Sequence, residues 1–362
     1  MHNEFEPACR RMEWLDPFYK AVWEKAFEKA IPISGTFELT PRCNFNCRMC
    51  YVHLKNDEIP HYGRELTAKE WLRIAEEAKQ AGTTWLCITG GEPILHPEFP
   101  EIWEKLSQMG FFLTLQSNAS LISGKIADLL EKYPPRRVKV TLYGADDDIY
   151  ESVCGVKNGF SRVNDGIHTL MSLGIPVSLV STIIRQNQEA VQKMAYYAYR
   201  HRLQWVPTTS VRASLRGGDT DVTGLRMNEM QEKHRCKEIQ RRIREKDFFD
   251  PKRKPCTYCK DYRVGYWVLW DGNMRFCSFL DKPDISVREL SFQEAWKQLL
   301  VYEEALEWPD QCKECSAKNV CFKCIAALAT ESGSIDRVPE KHCNAIRNLY
   351  EKNKGKVNED EL

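Results

Sequence analysis

From about residue 35 the chain alternates short β-rich runs with amphipathic stretches, six times over. That alternation limits the fold more than any other feature of the sequence. The runs Gly35–Leu39, Trp85–Thr89, Phe111–Gln116, Arg137–Leu142, Pro176–Thr182 and Gln204–Thr209 read as strands. Between them Thr67–Ala81, Phe99–Met109, Ser123–Lys132, Gly159–Leu173 and Gln188–Arg200 read as helices. Strands and helices of this length in strict alternation imply βαβ units and a parallel sheet. Six units predict an α/β fold, a partial (β/α)6 barrel or strongly curved sheet, with its site at the C-terminal strand ends. Beyond them, Arg226–Glu245 reads as a charged helix and Pro251–Pro255 as a break. From Cys256 onward the composition is cysteine-dense and irregular, with one clear helix around Phe292–Ala305. The expected divisions are a helical extension over 1–34, the α/β core over 35–215, a helical linker over 216–255, a cysteine-rich module over 256–350 and a polar tail over 351–362.

Composition excludes several classes. Lys and Arg number 52 against 51 Asp and Glu, a net charge of +1, so no global field favours nucleic acid or an anionic membrane. No stretch approaches the roughly 18 consecutive apolar residues of a membrane span, and the charged N-terminus lacks the apolar core of a secretory signal. A cytoplasmic protein is expected. There the 15 cysteines are the informative count, because clustered cysteines in a reducing compartment bind metal or do redox chemistry more often than they form disulfides. Eleven fall into two dense groups. Cys9, Cys87, Cys154 and Cys236 stand alone and read as small packed side chains.

The first group follows the first strand: Thr40-Pro41-Arg42-Cys43-Asn44-Phe45-Asn46-Cys47-Arg48-Met49-Cys50-Tyr51. Three thiolates on one loop can wrap a four-iron cubane and leave one iron open. An open coordination position marks a catalytic metal rather than a closed structural one. A zinc knuckle, or a structural cluster completed by a distant cysteine, is the alternative. The second strand ends in Gly90-Gly91-Glu92-Pro93, where paired glycines let backbone approach a ligand and Glu92 adds an acceptor. The third ends in Gln116-Ser117-Asn118-Ala119 and the fourth in Thr141-Leu142-Tyr143-Gly144. Downstream, Cys256-x2-Cys259 precedes the strand-like run Val264–Trp270, an Asp271-Gly272 turn and Cys277, a plausible hairpin that would return Cys277 beside Cys259. Cys312-x2-Cys315-x5-Cys321-x2-Cys324 and Cys343 complete eight cysteines, two sets of four. Spacing alone permits two zinc sites or two iron–sulfur clusters.

The cysteine loop resembles the cluster-binding motif of the radical S-adenosylmethionine (SAM) superfamily, and the C-terminal cysteines resemble its SPASM domain. The resemblance implies a TIM-like partial barrel, a [4Fe–4S] cluster on Cys43, Cys47 and Cys50, and SAM chelated to its open iron. Met49 would lie near the adenine, Gly90, Gly91 and Glu92 at the methionyl amino group, and Ser117, Asn118 and Thr141 around the cofactor. Ala119 stands where the family usually has glycine. It further implies two auxiliary [4Fe–4S] clusters, one on Cys256, Cys259, Cys277 and Cys324, the other on Cys312, Cys315, Cys321 and Cys343. The segment Tyr150–Gly155 is similar to one in peptide-modifying members, some of which carry there an arginine for the SAM carboxylate; Cys154 stands near that point, leaving Arg185 and Arg212 as candidates. Tyr51, Tyr143, Asp146 and Arg212 are cavity candidates, unranked, and no catalytic base is identified.

The implied activity is reductive cleavage of SAM to a 5′-deoxyadenosyl radical, which takes a hydrogen atom from a residue of a precursor peptide and yields a cross-link or an oxidation, as in the maturation of ribosomally made peptides. Ser278 after Cys277 disfavours formylglycine formation. The implied partners are a peptide, a flavodoxin- or ferredoxin-type reductant, and a separate leader-recognition protein, since the first 34 residues are too few for a leader-binding domain. A small-molecule dehydrogenase or cofactor-biosynthesis enzyme of the same architecture is the alternative, and a non-catalytic iron–sulfur electron carrier the second.

Overall fold

The computed structural model describes residues 17–52, 54–214, 222–245, 254–321 and 324–354. After a first helix, α1 (Pro17–Lys29), six strands follow: β1 (Ser34–Glu38), β2 (Trp85–Thr89), β3 (Phe112–Ser117), β4 (Arg137–Thr141), β5 (Val177–Thr182) and β6 (Gln204–Thr208). Each lies within a residue of its expected bounds, and all six pair in parallel in chain order. The intervening helices are a short α2 (Ile59–Tyr62), α3 (Ala68–Gln80), α4 (Phe99–Gln108), α5 (Gly124–Lys132), α6 (Asp147–Cys154), α7 (Gly159–Ser172) and α8 (Val191–Arg200). This is the (β/α)6 partial barrel the alternation predicts.

Local sequence explains the helices. Thr67 caps α3 with its side chain on the Glu70 amide, and the Glu70 carboxylate returns to the Thr67 amide. That capping box satisfies two orphan donors at once. α3 then turns Trp71, Ile74, Ala75 and Ala78 inward, and α4 turns Phe99, Ile102, Trp103 and Leu106. They share one apolar cluster with the strand residues Phe37, Ile88, Leu115, Val140 and Leu179. Burying each large side chain there contributes about 1.5–3 kcal/mol over leaving it exposed.

The C-terminal half comprises α9 (Asn228–Glu245), β7 (Gly265–Val268), β8 (Asn273–Arg275), β9 (Ile285–Ser286), α10 (Phe292–Ala305), a short α11 (Asp310–Lys313), α12 (Ile325–Ser332) and α13 (Glu340–Lys354). β7 and β8 form the expected hairpin, with Trp267 opposite Arg275 and Gly272 in the left-handed region at φ +88. Its placement differs from the division drawn at 256. β7 pairs in parallel with β1, so one nine-stranded sheet runs β6-β5-β4-β3-β2-β1-β7-β8-β9. Gly35 makes this possible, since a Cβ there would stand 2.4 Å from the Tyr266 ring.

Asp147–Cys154, to which the sequence reading assigns no element, is a helix opened by the Asp146 side chain on the Ile149 amide and closed by Gly155 at φ +66. Two further readings are corrected. α13 runs through Lys354, so the first residues of the supposed tail are helical. α9 packs on α13 and is part of the C-terminal structure rather than a linker, with Ile239 and Ile243 buried beside Ile346. Cys9 and most of the expected N-terminal extension lie outside the described residues, as do 215–221, 246–253 and 355–362. No helix among the described residues is long and apolar enough to cross a membrane.

Candidate functional site

The cysteine loop leaves the C-terminal end of β1 and is stitched to the end of α6. The amides of Asn46 and Arg48 donate to the carbonyls of Cys154 at 2.8 Å and Val153 at 3.0 Å, bracketing Cys47. Phe45 is buried against the Tyr150 ring, with centroids 6.2 Å apart. The Cys50 amide closes a turn on the Cys47 carbonyl at 3.0 Å. Burial, then the Glu92 carboxylate, then the Cys47 and Cys50 thiols push the Cys43 thiol well above its ordinary range. The three sulfurs are therefore within electrostatic reach of one another.

Cys154 is fully buried, as expected of an isolated small packed side chain. It also lies beside the Cys47 thiol, and its influence comes ahead of burial among the causes that raise Cys47. Sequence reasoning missed this contact because 107 residues separate the two.

Gly90 and Gly91 are needed for a reason the sequence reading did not give. A Cβ on Gly90 would stand 2.6 Å from the Thr40 carbonyl oxygen, and one on Gly91 2.3 Å from that of Arg42. The pair lets the end of β2 lie directly on the backbone that leads into Cys43. The Gly91 and Glu92 amides then donate to Thr40 and Arg42 carbonyls, each at 2.7 Å. Thr40 and Arg42 are also tied through their side chains to Glu65.

Glu92 is fully buried. Its carboxyl accepts from the Ser117 hydroxyl at 2.9 and 3.0 Å and from the Asn118 amide at 2.8 Å. Burial outweighs these bonds and pushes it up to about 7. Asn118 continues the network, donating from Nδ2 to Asn44 Oδ1 at 2.9 Å, and Asn44 donates to Ser120 at 2.8 Å. Ala119 takes the left-handed conformation at φ +63 that glycine would adopt there, with its amide on the Ser117 hydroxyl at 2.9 Å. Gly166 makes room for it, since a Cβ at that position would stand 2.0 Å from the Ala119 oxygen. Thr141 is half-buried at the end of β4, its carbonyl accepting from the Tyr150 hydroxyl at 3.3 Å. Residues Thr40, Gly90–Glu92, Ser117–Asn118 and Thr141 thus gather at four adjacent strand ends.

The remaining candidates separate. Met49 is buried at 7% within the main apolar cluster. Tyr143 lies beside Cys47, Cys154 and Cys50, and burial first, then those thiols, raise its phenol. Asp146 caps α6 and pairs with Lys193 at 3.2 Å, a structural use. Arg185 is exposed and donates to the Arg226 carbonyl at 2.8 Å. Arg212 instead points its guanidinium over the Phe279 ring, 5.2 Å from the centroid.

In the C-terminal half the hairpin returns Cys277 beside Cys259. Cys256 is raised by burial, by Glu303, and by Cys259, Cys277 and Cys324; Cys259 is pushed up to about 12 by burial first, then by Asp261, Cys277 and Cys324. Four thiols distant in sequence therefore converge. Glu303 beside them is fully buried, has Oε1 unpaired, accepts from the Arg263 amide at 3.2 Å, and is pushed up to about 8 chiefly by burial. Cys315 and Cys321 lie together against Val320, Ala317 and Ile346, one turn from Cys343 on α13, while Cys312 is buried in the main cluster. Thiols raised by burial and by one another are neutral alone, and a bound metal reverses that preference by supplying the missing positive charge. The donor sets thus suit thiophilic metal. Among the described residues no three His, Cys, Asp or Glu side chains are gathered as tightly as a single metal ion requires.

Residues 37–197 match the model of the radical SAM superfamily. An AdoMet-dependent heme synthase of Methanosarcina barkeri is 25% identical over 82% of this chain and 92% of its own length. A PqqA peptide cyclase of Ruegeria pomeroyi is 25% identical over 86% of this chain and 89% of its own. Among solved structures, Streptococcus suis SuiB bound to precursor peptide SuiA superposes with a TM-score of 0.65 at 16% identity, over 89% of this chain and 79% of that one.

Proposed function

We propose, from the premise that residues 37–197 make this chain a member of the radical SAM superfamily, that it modifies a peptide through a SAM-derived radical. In this reading Cys43, Cys47 and Cys50 hold a [4Fe–4S] cluster. Cys256, Cys259, Cys277 and Cys324 hold one auxiliary cluster, and Cys312, Cys315, Cys321 and Cys343 a second. The chemistry supplied on loading is one electron to the SAM sulfonium, which splits a C–S bond and gives a radical able to take a hydrogen atom from the substrate.

The chain's own residues do the rest. Glu92, buried and held by Ser117 and Asn118, offers a fixed acceptor for an amino group beside the cysteine loop. Gly90 and Gly91 hold that acceptor against the loop's backbone. Asn118 and Asn44 fix the turn around Cys43, and Met49, Phe45 and Leu142 keep water from the loop's inner side. The observation that carries the reading is the approach of Cys256, Cys259, Cys277 and Cys324 to one another beside the β7–β8 hairpin, whose β7 pairs with the strand that leads into the three-cysteine loop. Likeness to a peptide cyclase over most of both chains supports a peptide as substrate. A small-molecule substrate is the second reading, and likeness to a heme synthase over a comparable span favours it.

The test is anaerobic reconstitution with iron and sulfide, then SAM, reductant and short peptides encoded nearby, read by mass spectrometry. Deoxyadenosine with a mass change in a peptide supports the proposal; deoxyadenosine with every peptide intact supports the second reading. Replacing Cys43, Cys47 and Cys50 together with alanine is expected to abolish SAM cleavage while the C-terminal clusters remain visible by spectroscopy. Cleavage that survives the triple change refutes the assignment of the loop.

A further inference from the structure

We infer that Arg212 is the anchor for a carboxylate of the substrate, seated between the cysteine loop and the hairpin that carries Cys277. The inference rests on the reading of this chain as a peptide-modifying enzyme and adds the chemical class of peptide it selects.

Arg212 follows β6 at the same end of the sheet as the other site residues. Its backbone is held on both sides. The Arg226 guanidinium donates twice to the Val211 carbonyl, at 2.7 and 3.2 Å, and is itself fixed to Glu331 on α12 at 2.8 Å. Two residues beyond Arg212, the Ser214 hydroxyl donates to the Tyr51 carbonyl at 2.7 Å. The side chain lies over Phe279, and Phe279 in turn packs on Tyr51 with centroids 4.5 Å apart. Tyr51 directly follows Cys50, and Phe279 lies two residues after Cys277. Ser278 Oγ and Tyr51 OH, 3.4 Å apart, line the same spot.

A guanidinium held over an aromatic ring is attracted to the ring face and still has a planar fork of N–H donors to offer. Arg212 is half-buried, and among the described residues no carboxylate pairs with it. A preorganised, partly desolvated fork without an internal anion is suited to a carboxylate from outside, bound through two parallel hydrogen bonds. The carboxylate is the substrate's rather than that of SAM. The Arg212 guanidinium lies over Phe279, two residues after Cys277, whereas the polar side chains gathered at Cys43 are those of Asn118 and Asn44. The cation thus lies on the hairpin side, by Phe279 and Tyr51. For a peptide this selects an acidic side chain or a C-terminal carboxylate near the reacting residue.

The experiment is calorimetry on the reconstituted, SAM-loaded protein with two probes, acetyl-Gly-Glu-Gly-amide and acetyl-Gly-Gln-Gly-amide. Wild type is expected to bind the glutamate peptide about tenfold more tightly than the glutamine peptide. Arg212→Gln should erase that preference, and Arg212→Lys should keep part of it, because an ammonium preserves the charge without the fork. Equal or undetectable binding of both peptides by wild type overturns the inference, as does a preference that survives Arg212→Gln. If Arg212→Gln lowers SAM affinity tenfold while the glutamate preference persists, the arginine serves the SAM carboxylate and the inference falls. Should Arg212→Gln not load iron, the wild-type preference and its reduction in Arg212→Lys decide the matter. Failure of the maturase reading would look different: encoded peptides would stay unmodified while the glutamate–glutamine contrast persisted.

Discussion

Replacing Gly91 with alanine tests how closely the second strand end must sit on the cysteine loop. The new Cβ would stand 2.3 Å from the Arg42 carbonyl oxygen and 2.7 Å from both the Arg42 carbonyl carbon and the Pro41 oxygen. All three are backbone atoms, so relief requires the loop and the strand end to part by roughly 1 Å. Overpacking of this kind costs about 1–3 kcal/mol. The separation also strains the Gly91–Thr40 and Glu92–Arg42 hydrogen bonds, both 2.7 Å long, worth about 0.5–1.5 kcal/mol each. The total, about 2–6 kcal/mol, is a large share of the roughly 5–15 kcal/mol that keeps a domain folded. Because the strain falls on the residues leading into Cys43, iron loading should fall with stability. Under the three-cluster reading, about a third of the bound iron is at stake. The assay is iron and sulfide per chain after reconstitution, with the urea midpoint of the same samples. Gly110→Ala is the control: a Cβ there meets nothing within 4 Å, but φ is +83, so the cost is only the roughly 1–2 kcal/mol of a left-handed alanine. Gly91→Ala with wild-type iron, and a midpoint no lower than the control's, would refute the close-approach argument.

Two further predictions concern buried carboxyls. Glu92, at about 7, favours its neutral form in the fold, so its contribution to stability is full below pH 4.5 and is lost as pH rises through about 7. An amino group arriving beside it should pull its proton off, so SAM binding near neutral pH is expected to release up to about half a proton, measured as the dependence of calorimetric heat on buffer ionisation, and Glu92→Gln should abolish the release. Glu303 behaves alike, its contribution full below pH 4.5 and lost as pH rises through about 8. Urea midpoints of Glu303→Gln should therefore vary less than wild type between about pH 5 and pH 8.5, and an equal variation would count against the buried carboxyl as the cause.

The strands of the core were legible because each carries a run of β-formers bounded by helices with visible caps, of which Thr67 and Glu70 are the plainest. Helix α6 was missed despite Asp146 and Gly155 at its ends, because eight residues are too few for periodicity to stand out. α13 is obscured in the sequence because the spacing of Cys343 fits a metal site as readily as it fits the helical face that buries Ile346. The glycine pair was noticed for its freedom, but its neighbour could not be read locally, since the Arg42 carbonyl it touches lies almost fifty residues earlier. The same holds for Cys154 against Cys47 and for β7 against β1. Sequence shows that a segment is a strand or a packed thiol, whereas its partner is fixed by chain topology.

The pairing of β7 with β1 also bears on how the protein can be divided. Without β7 the whole flank of β1 lies bare, a row of unpaired amides and carbonyls next to the cysteine loop, which is the kind of border that invites other chains to add strands. A fragment ending before Cys256 would carry that sticky margin and lose the aromatic wedge of Tyr266 between Thr83 and Phe292. The two halves are therefore less a catalytic body with an attached accessory than a single fabric, in which damage at the hairpin is felt at the loop where SAM is expected to dock.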